Sequence, residues 1–167
     1  EAPDQWHFPY WSDEMGEAVG GQMANADTML LGRVTYDGFA DYWPKQDPAQ
    51  EPIAAYMNET PKLVVSNTLD TLDWQNSSLV SGDVYGKLRE LKEQPGKDIS
   101  ITGSISLTRS LLREGLLDEL NLLVHPIVVG SGKKLFDGDT GNVPLELTES
   151  KTLPNGVLHL IYRRAAG

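Results

Sequence analysis

Three short segments carry residues suited to holding an anionic ligand: "LLGRVTY" at 30–36, "VVSNT" at 64–68 and "ITGSIS" at 101–106. Each follows an apolar run with Gly, Ser, Thr or Asn, and the first and third lead directly into helical periodicity. Main-chain N–H groups at a helix start, reinforced by the helix dipole, suit phosphate oxygens, and glycine allows close approach. Together the three segments have the character of a dinucleotide site divided among loops. Taken singly, each is also an ordinary strand-to-helix corner that needs glycine only for its backbone. No G-x-G-x-x-G fingerprint accompanies them.

Other chemistries find less support. "GSGKK" at 130–134 invites a phosphate-loop reading, but that motif needs glycine where Ile127 stands and Ser or Thr where Lys134 stands. A glycine-rich turn, with Lys133 near a ligand or a subunit contact, is the alternative. His7, His125 and His159 are widely separated, no His-x-x-x-His pair occurs, and the chain has no cysteine, so no metal site is expected.

The elements that must position these loops follow from changes of period. Behind Ser12, a candidate N-cap, Met15, Val19, Met23 and Ala26 have helical spacing. "TMLLG" reads as a buried strand, "TYDGFADYW" as a short helix stopping before Pro44, and "PIAAYMNE" as another. "KLVVS", "LVSG" and "DISITG" are strands. Asp83 caps a helix over "VYGKLRELKEQ", ended by Pro95-Gly96, and Gly115 closes one over "SLTRSLLREG". "ELNLLVHPIVVG" reads as a strand covered on both faces, and two strand-like runs flank Asn155-Gly156 as a closing hairpin. Alternating strands and helices followed by a hairpin predict an α/β fold, with a mainly parallel sheet and an antiparallel edge. In such sheets ligands bind outside the carboxyl ends of the parallel strands, where the three segments lie.

A length of 167 residues, 40% of them hydrophobic, fits a single domain spanning 1–167. The net charge of −10 argues against nucleic acid or anionic lipid as a partner. No apolar run is long enough to span a membrane, and no charged-then-apolar leader opens the sequence, so a soluble cytoplasmic protein is the expectation.

"LLGRVTYDGFADYWP", "KLVVSNTL", "ITGSISLTRSLLREGLLDELNLLVHPIVVGSGKKLF" and "LHLIYRR" together resemble the dihydrofolate reductase-like family that includes the C-terminal reductase domain of the bacterial riboflavin-biosynthesis protein. The resemblance runs from about Tyr10 onward. It implies a three-layer α/β/α fold, NADPH as cofactor, hydride transfer to a pterin-, folate- or pyrimidine-like heterocycle, and a homodimer. By the family pattern Gly32, Arg33 and Thr35 touch cofactor phosphates, with Arg33 a planar fork for an adenosine 2′-phosphate. Ser66 and Asn67 hold the adenosine side, and Gly103, Ser104, Ile105 and Ser106 receive the pyrophosphate and nicotinamide side through their backbone. Alternatively Arg33 is a salt-bridged surface residue, and Ser104 and Ser106 are helix caps.

Reduction of a C=N bond also needs a proton on nitrogen. Asp13 and Glu17, with Glu14, begin the first helix near where folate reductases of this fold carry a substrate-binding carboxylate. Acidic residues there are equally ordinary dipole complements. Trp6, Tyr10 and Trp11 either wall a flat heterocycle or pack. Family members usually begin with a central strand bearing an S-L-D-G-like turn, which "EAPDQWHF" does not match, so the usual first strand is expected to be missing or supplied otherwise. A non-catalytic nucleotide- or ligand-binding module on the same fold is the alternative function.

Overall fold

A computed structural model describes residues 4–138 and 141–165. Its regular elements are α1 (Asp4–His7), α2 (Asp13–Asn25), β1 (Ala26–Gly32), α3 (Arg33–Tyr42), α4 (Ile53–Glu59), β2 (Lys62–Val65), β3 (Ser77–Val80), α5 (Val84–Lys92), β4 (Asp98–Ser100), α6 (Ile105–Arg113), β5 (Glu119–Val124), β6 (Leu145–Thr152) and β7 (Leu158–Arg164). The chain forms two compact units, one of Gln22–Thr108 and one of the residues up to Gly21 with those from Arg109 onward. The expected α/β class is present, with parallel strands in one ladder and the closing hairpin in another.

The unit Gln22–Thr108 is built on four parallel strands in the order β3-β2-β1-β4. β1 is interior, and Met29, Leu30 and Leu31 are buried in succession, the pattern of a strand covered on both faces. On one face Met29, Leu31 and Val64 pack with Tyr36, Met57 and Trp74, flanked by Phe39, Trp43 and Tyr56. α5 starts where expected, because the Asp83 carboxylate accepts the Gly86 N–H at 2.9 Å. β4 is short, and its register against β1 slips at Asp27. There the Asp27 carboxylate accepts the Lys97 N–H at 2.8 Å and the Thr28 hydroxyl at 3.0 Å, and these bonds, the first foremost, hold it below the usual carboxylate range.

The other unit carries the antiparallel ladder β5-β7-β6. Met15 of α2 packs with Leu153 and Val157 at the turn between β6 and β7, with Tyr10 and Leu123 against them. Ser12 caps α2 through the Met15 N–H at 3.2 Å. The hairpin loop between Thr152 and Leu158 contains a 3-10 turn, Pro154–Gly156, with Asn155 and Gly156 at positive φ of 64° and 77°, the conformation these two residue types tolerate best. β5 departs from expectation. It ends at Val124, six residues before Gly130, and of its residues Leu120 alone is buried. Pro126 lacks the N–H a ladder needs, which stops the strand, and Val128 beyond it is 93% exposed.

Lys62 is the unexpected member of the core. A lysine opening a strand reads as exposed, yet it is 1% exposed. Its ammonium donates to the carbonyls of Asn58 (3.0 Å) and Thr60 (2.7 Å) and stands 4.3 Å from the centroid of a Trp74 ring. Burial pushes it down from 10.5 to about 8. Between those two values the unfolded chain binds more protons at this position than the folded one, so its contribution makes stability rise with pH across that window. Urea unfolding across the same range is expected to show the rise in the natural sequence and to lack it in Lys62→Met.

Candidate functional site

The carboxyl ends of β2, β1 and β4 lie side by side. Gly32 is in register with Val65, and Met29 with Ser100, so the three loops that follow leave one end of the sheet as neighbours in the order 2-1-4. The segments singled out in the sequence are these loops.

The first and third are joined by hydroxyl chemistry. Ser104 Oγ accepts the Gly32 N–H at 3.0 Å, and Thr35 Oγ1 accepts both the Ser104 N–H at 3.1 Å and the Ser104 hydroxyl at 3.0 Å. Gly103 and Ser104 are both left-handed, with φ of 67° and 51°. Glycine adopts that conformation freely, whereas for serine it costs roughly 1–2 kcal/mol. Thr108 adds a bond from its hydroxyl to the Gly103 carbonyl at 3.3 Å. Gly32, by contrast, has an ordinary extended φ of −79°, and a Cβ there would stand 3.6 Å from Ser104 Oγ in ordinary contact. The small corner at 103–104 therefore reflects backbone conformation first, and the hydroxyl of Ser104 is spent on holding two loops together. Its role is neither simple cap nor exposed ligand group.

The second loop is shaped in the same way. Ser66 is buried, and its hydroxyl accepts the N–H groups of Thr68 and Leu69, each at 3.1 Å. Asn67 beside it is exposed. Ser66 and Ser104 thus fix loop shape, while Asn67 and Arg33 are exposed.

Arg33 is the first residue of α3, and Gly32 before it supplies no side-chain cap. A cation in the first turn opposes the helix dipole, and α3 has no acidic residue in that turn. Arg33 Nη1 reaches Asp37 at 3.3 Å one turn on, with both side chains about half exposed. Such a pair is worth roughly 0–1 kcal/mol, weak enough for an arriving anion to redirect the guanidinium. Asp37 was not anticipated, although its i,i+4 spacing from Arg33 is a recognisable signal. Val34, 66% exposed in the same turn, is a second omission. α6 opens at Ile105, with Ser106 next, directly after the Gly103-Ser104 corner. The assembly can bind an anion with main-chain N–H groups at two helix starts and one guanidinium.

Asp13 and Glu17 lie one turn apart on α2, both exposed, in the unit that contains the antiparallel ladder. Trp6, Tyr10 and Trp11 pack against His7 and His125. Arg109 donates to the carbonyls of Lys134 and Leu135, the latter at 2.6 Å, so the "GSGKK" segment is a turn held from α6. Among the described residues no group of three or more His, Asp or Glu side chains is arranged to hold a metal, and no helix is long and apolar enough to cross a membrane.

Comparison with known proteins gives the family and the fold. Residues 1–159 match the RibD C-terminal domain family. An uncharacterised protein of Bacillus subtilis, YyaP, is 33% identical over 138 residues, covering 81% of this chain and 73% of that one. Among solved structures, a putative riboflavin biosynthesis protein from Shewanella superposes with a TM-score of 0.70 at 21% identity, covering 86% of this chain and 77% of its own. A pyrimidine reductase-like protein from Corynebacterium diphtheriae does so with a TM-score of 0.53 at 17% identity, over 85% and 77%. These likenesses share the fold: four parallel strands and a separate three-stranded antiparallel ladder. The chain belongs to the RibD C-terminal domain family, a reductase-type family of the dihydrofolate reductase-like fold.

Proposed function

We propose that this protein is an NADPH-dependent reductase that transfers hydride to a pterin-, folate- or pyrimidine-like heterocycle, acting as a cytoplasmic homodimer. The observation that carries the reading is the hydroxyl bridge from Thr35 through Ser104 to Gly32. It fixes two helix-start corners beside the Ser66 loop, at the sheet end where this architecture binds ligands. Family membership supports reductase chemistry, and the likeness to a putative riboflavin biosynthesis protein and to a pyrimidine reductase-like protein favours a pyrimidine ring among the candidate substrates.

The residues present fit a dinucleotide phosphate group. Arg33 stands against its helix dipole with only a weak partner, as expected of a cation placed for an anion. Bound NADPH would supply the hydride. Arg33 would take the 2′-phosphate through its planar fork. Gly32, its N–H held by Ser104, would line the approach, Gly103, Ile105 and Ser106 would meet the phosphates with their main chain, and Thr35, which accepts two bonds from Ser104, retains its own hydroxyl proton to donate. Ser66 would hold the shape of the adenosine loop, and Asn67 would contact the ring. A carboxylic acid from α2, Asp13 or Glu17, would deliver the proton to the substrate nitrogen.

Titration with NADPH and NADH, followed by tryptophan and reduced-nicotinamide fluorescence, tests this directly. Saturable binding with preference for NADPH is expected, and Arg33→Ala should weaken NADPH by about tenfold while leaving NADH unchanged. Absence of binding by either, in folded protein, would leave a ligand-binding module as the function.

Thr35→Val should weaken both nucleotides together, because it unlocks the main chain that either would meet. It should also lower stability to urea by about 1–3 kcal/mol through the unpaired Ser104 groups. Asp13→Asn and Glu17→Gln divide the proton-donor question: one of them is expected to lower turnover by about a hundredfold or more with cofactor affinity intact. Full activity in both would remove the α2 carboxylates from the chemistry.

A further inference from the structure

His7 and His125, 118 positions apart, meet ring to ring, with His7 Nδ1 3.0 Å from His125 Nε2. His125 Nδ1 is 3.0 Å from the Leu123 carbonyl oxygen. A carbonyl only accepts, so His125 carries a proton on Nδ1. In the uncharged pair its Nε2 is then the bare nitrogen, and the hydrogen between the rings belongs to His7 Nδ1. The line of donors runs from His7 to His125 to Leu123, and both neutral rings are fixed as Nδ1–H tautomers.

This arrangement accepts one proton and not two. The first enters at His7 Nε2, leaves the inter-ring bond in place, and makes it charge-assisted, with the charge shared by the pair. A second must enter the contact itself. Nδ1 of His7 and Nε2 of His125 would then both present hydrogens, and two cations would face each other with ring centroids 5.1 Å apart. Trp6 and Tyr10 stand edge-on to His125 at 5.2 and 5.8 Å, and Phe8 and Trp11 lie 5.6 Å from His7. Tyr10 is the titratable member of that set, and no carboxylate stands among these rings to offer a negative charge to the second proton.

We propose that the His7–His125 contact is a pH-sensitive latch: it holds residues 4–11 against the end of β5 while the pair carries no proton or one, and releases them when it takes a second. Burial, and then the repulsion between the rings once both are charged, hold His7 below its ordinary 6.5, so that the second proton on the pair is the one resisted. The unfolded chain therefore binds more protons between the folded value and 6.5. The contribution of this group to stability is complete above that window and lost as pH falls through it. The latch is independent of the cofactor reading.

The test is long-range proton–nitrogen NMR of the full chain labelled with nitrogen-15 histidine, together with amide-exchange protection of residues 5–11 against pH. At about pH 8, where an ordinary histidine is neutral, both His7 and His125 are expected as Nδ1–H tautomers. Acidification should lower protection of 5–11 by about tenfold or more. In His7→Gln the side-chain amide can turn to donate or accept, so the contact survives protonation of His125 and the loss should shrink to about twofold or less. An Nε2–H tautomer at His125 in mild alkali, protection indifferent to acid, or an undiminished response in His7→Gln would each overturn the latch. The tautomer measurement on the natural sequence stands whether or not the variant folds.

Discussion

A serine in the left-handed region, tied to a threonine and a glycine about seventy positions earlier, is the constraint on which the candidate site depends. Parallel pairing of β1 with β2 and β4 brings three strand ends to one edge, but pairing alone leaves the loops beyond them free to move apart. The bridge from Gly32 to Ser104 to Thr35 removes that freedom. The unfavourable φ of Ser104 persists because three hydrogen bonds over-determine it, each worth roughly 0.5–1.5 kcal/mol. Glycine at 104 would relax the backbone and lose the oxygen, and alanine would keep the strain and lose the oxygen too. Serine is the smallest residue that supplies a hydroxyl at that corner.

Cations in this acidic protein sort by how they are satisfied. Lys62 is buried, yet its donors meet two carbonyls and a π face, so its place is structural. Arg33 is half exposed, stands at the wrong end of a helix dipole, and has one strained-free but weak partner in Asp37. The histidine pair is a third case, in which proton positions follow from a single carbonyl acceptor. In a chain of net charge −10 the general field repels anions. An anion site must therefore be local, built from N–H groups and a guanidinium within a few ångströms.

What was legible in the sequence is what depends on near neighbours. Ser12 and Asp83 cap the helices expected of them, Gly115 closes α6 with a φ of 70°, and Asn155-Gly156 lies in the hairpin loop. The family resemblance, carried by the loop segments and "LDELNLL", extended this to the fold. What was not legible depends on distant partners. Burial of Lys62 needs Trp74 beneath it, the His7–His125 contact spans 118 positions, and the role of Ser104 spans 72 to Gly32. The early end of β5 was legible in Pro126 and was outweighed by the apolar run around it.

The loop chemistry also limits how the site can recognise anything. Ser66 and Ser104 spend their hydroxyls on the protein itself, so a ligand bound as proposed at these loops would be met by main-chain donors, by Asn67 and Arg33, and by the remaining hydroxyl proton of Thr35. Main-chain donors read the geometry of a phosphate and are blind to what the phosphate is attached to, so they confer affinity common to a whole class of nucleotides. Discrimination within that class then falls to side chains at the periphery. Arg33 is suited to it, because removing its counter-ion from Asp37 costs little and a phosphate returns a charge-assisted bidentate contact. On the proposed reading, a locked, class-reading main chain with one movable charged side chain would be a division of labour in which cofactor preference could change at a single surface position without disturbing the bridge beneath it.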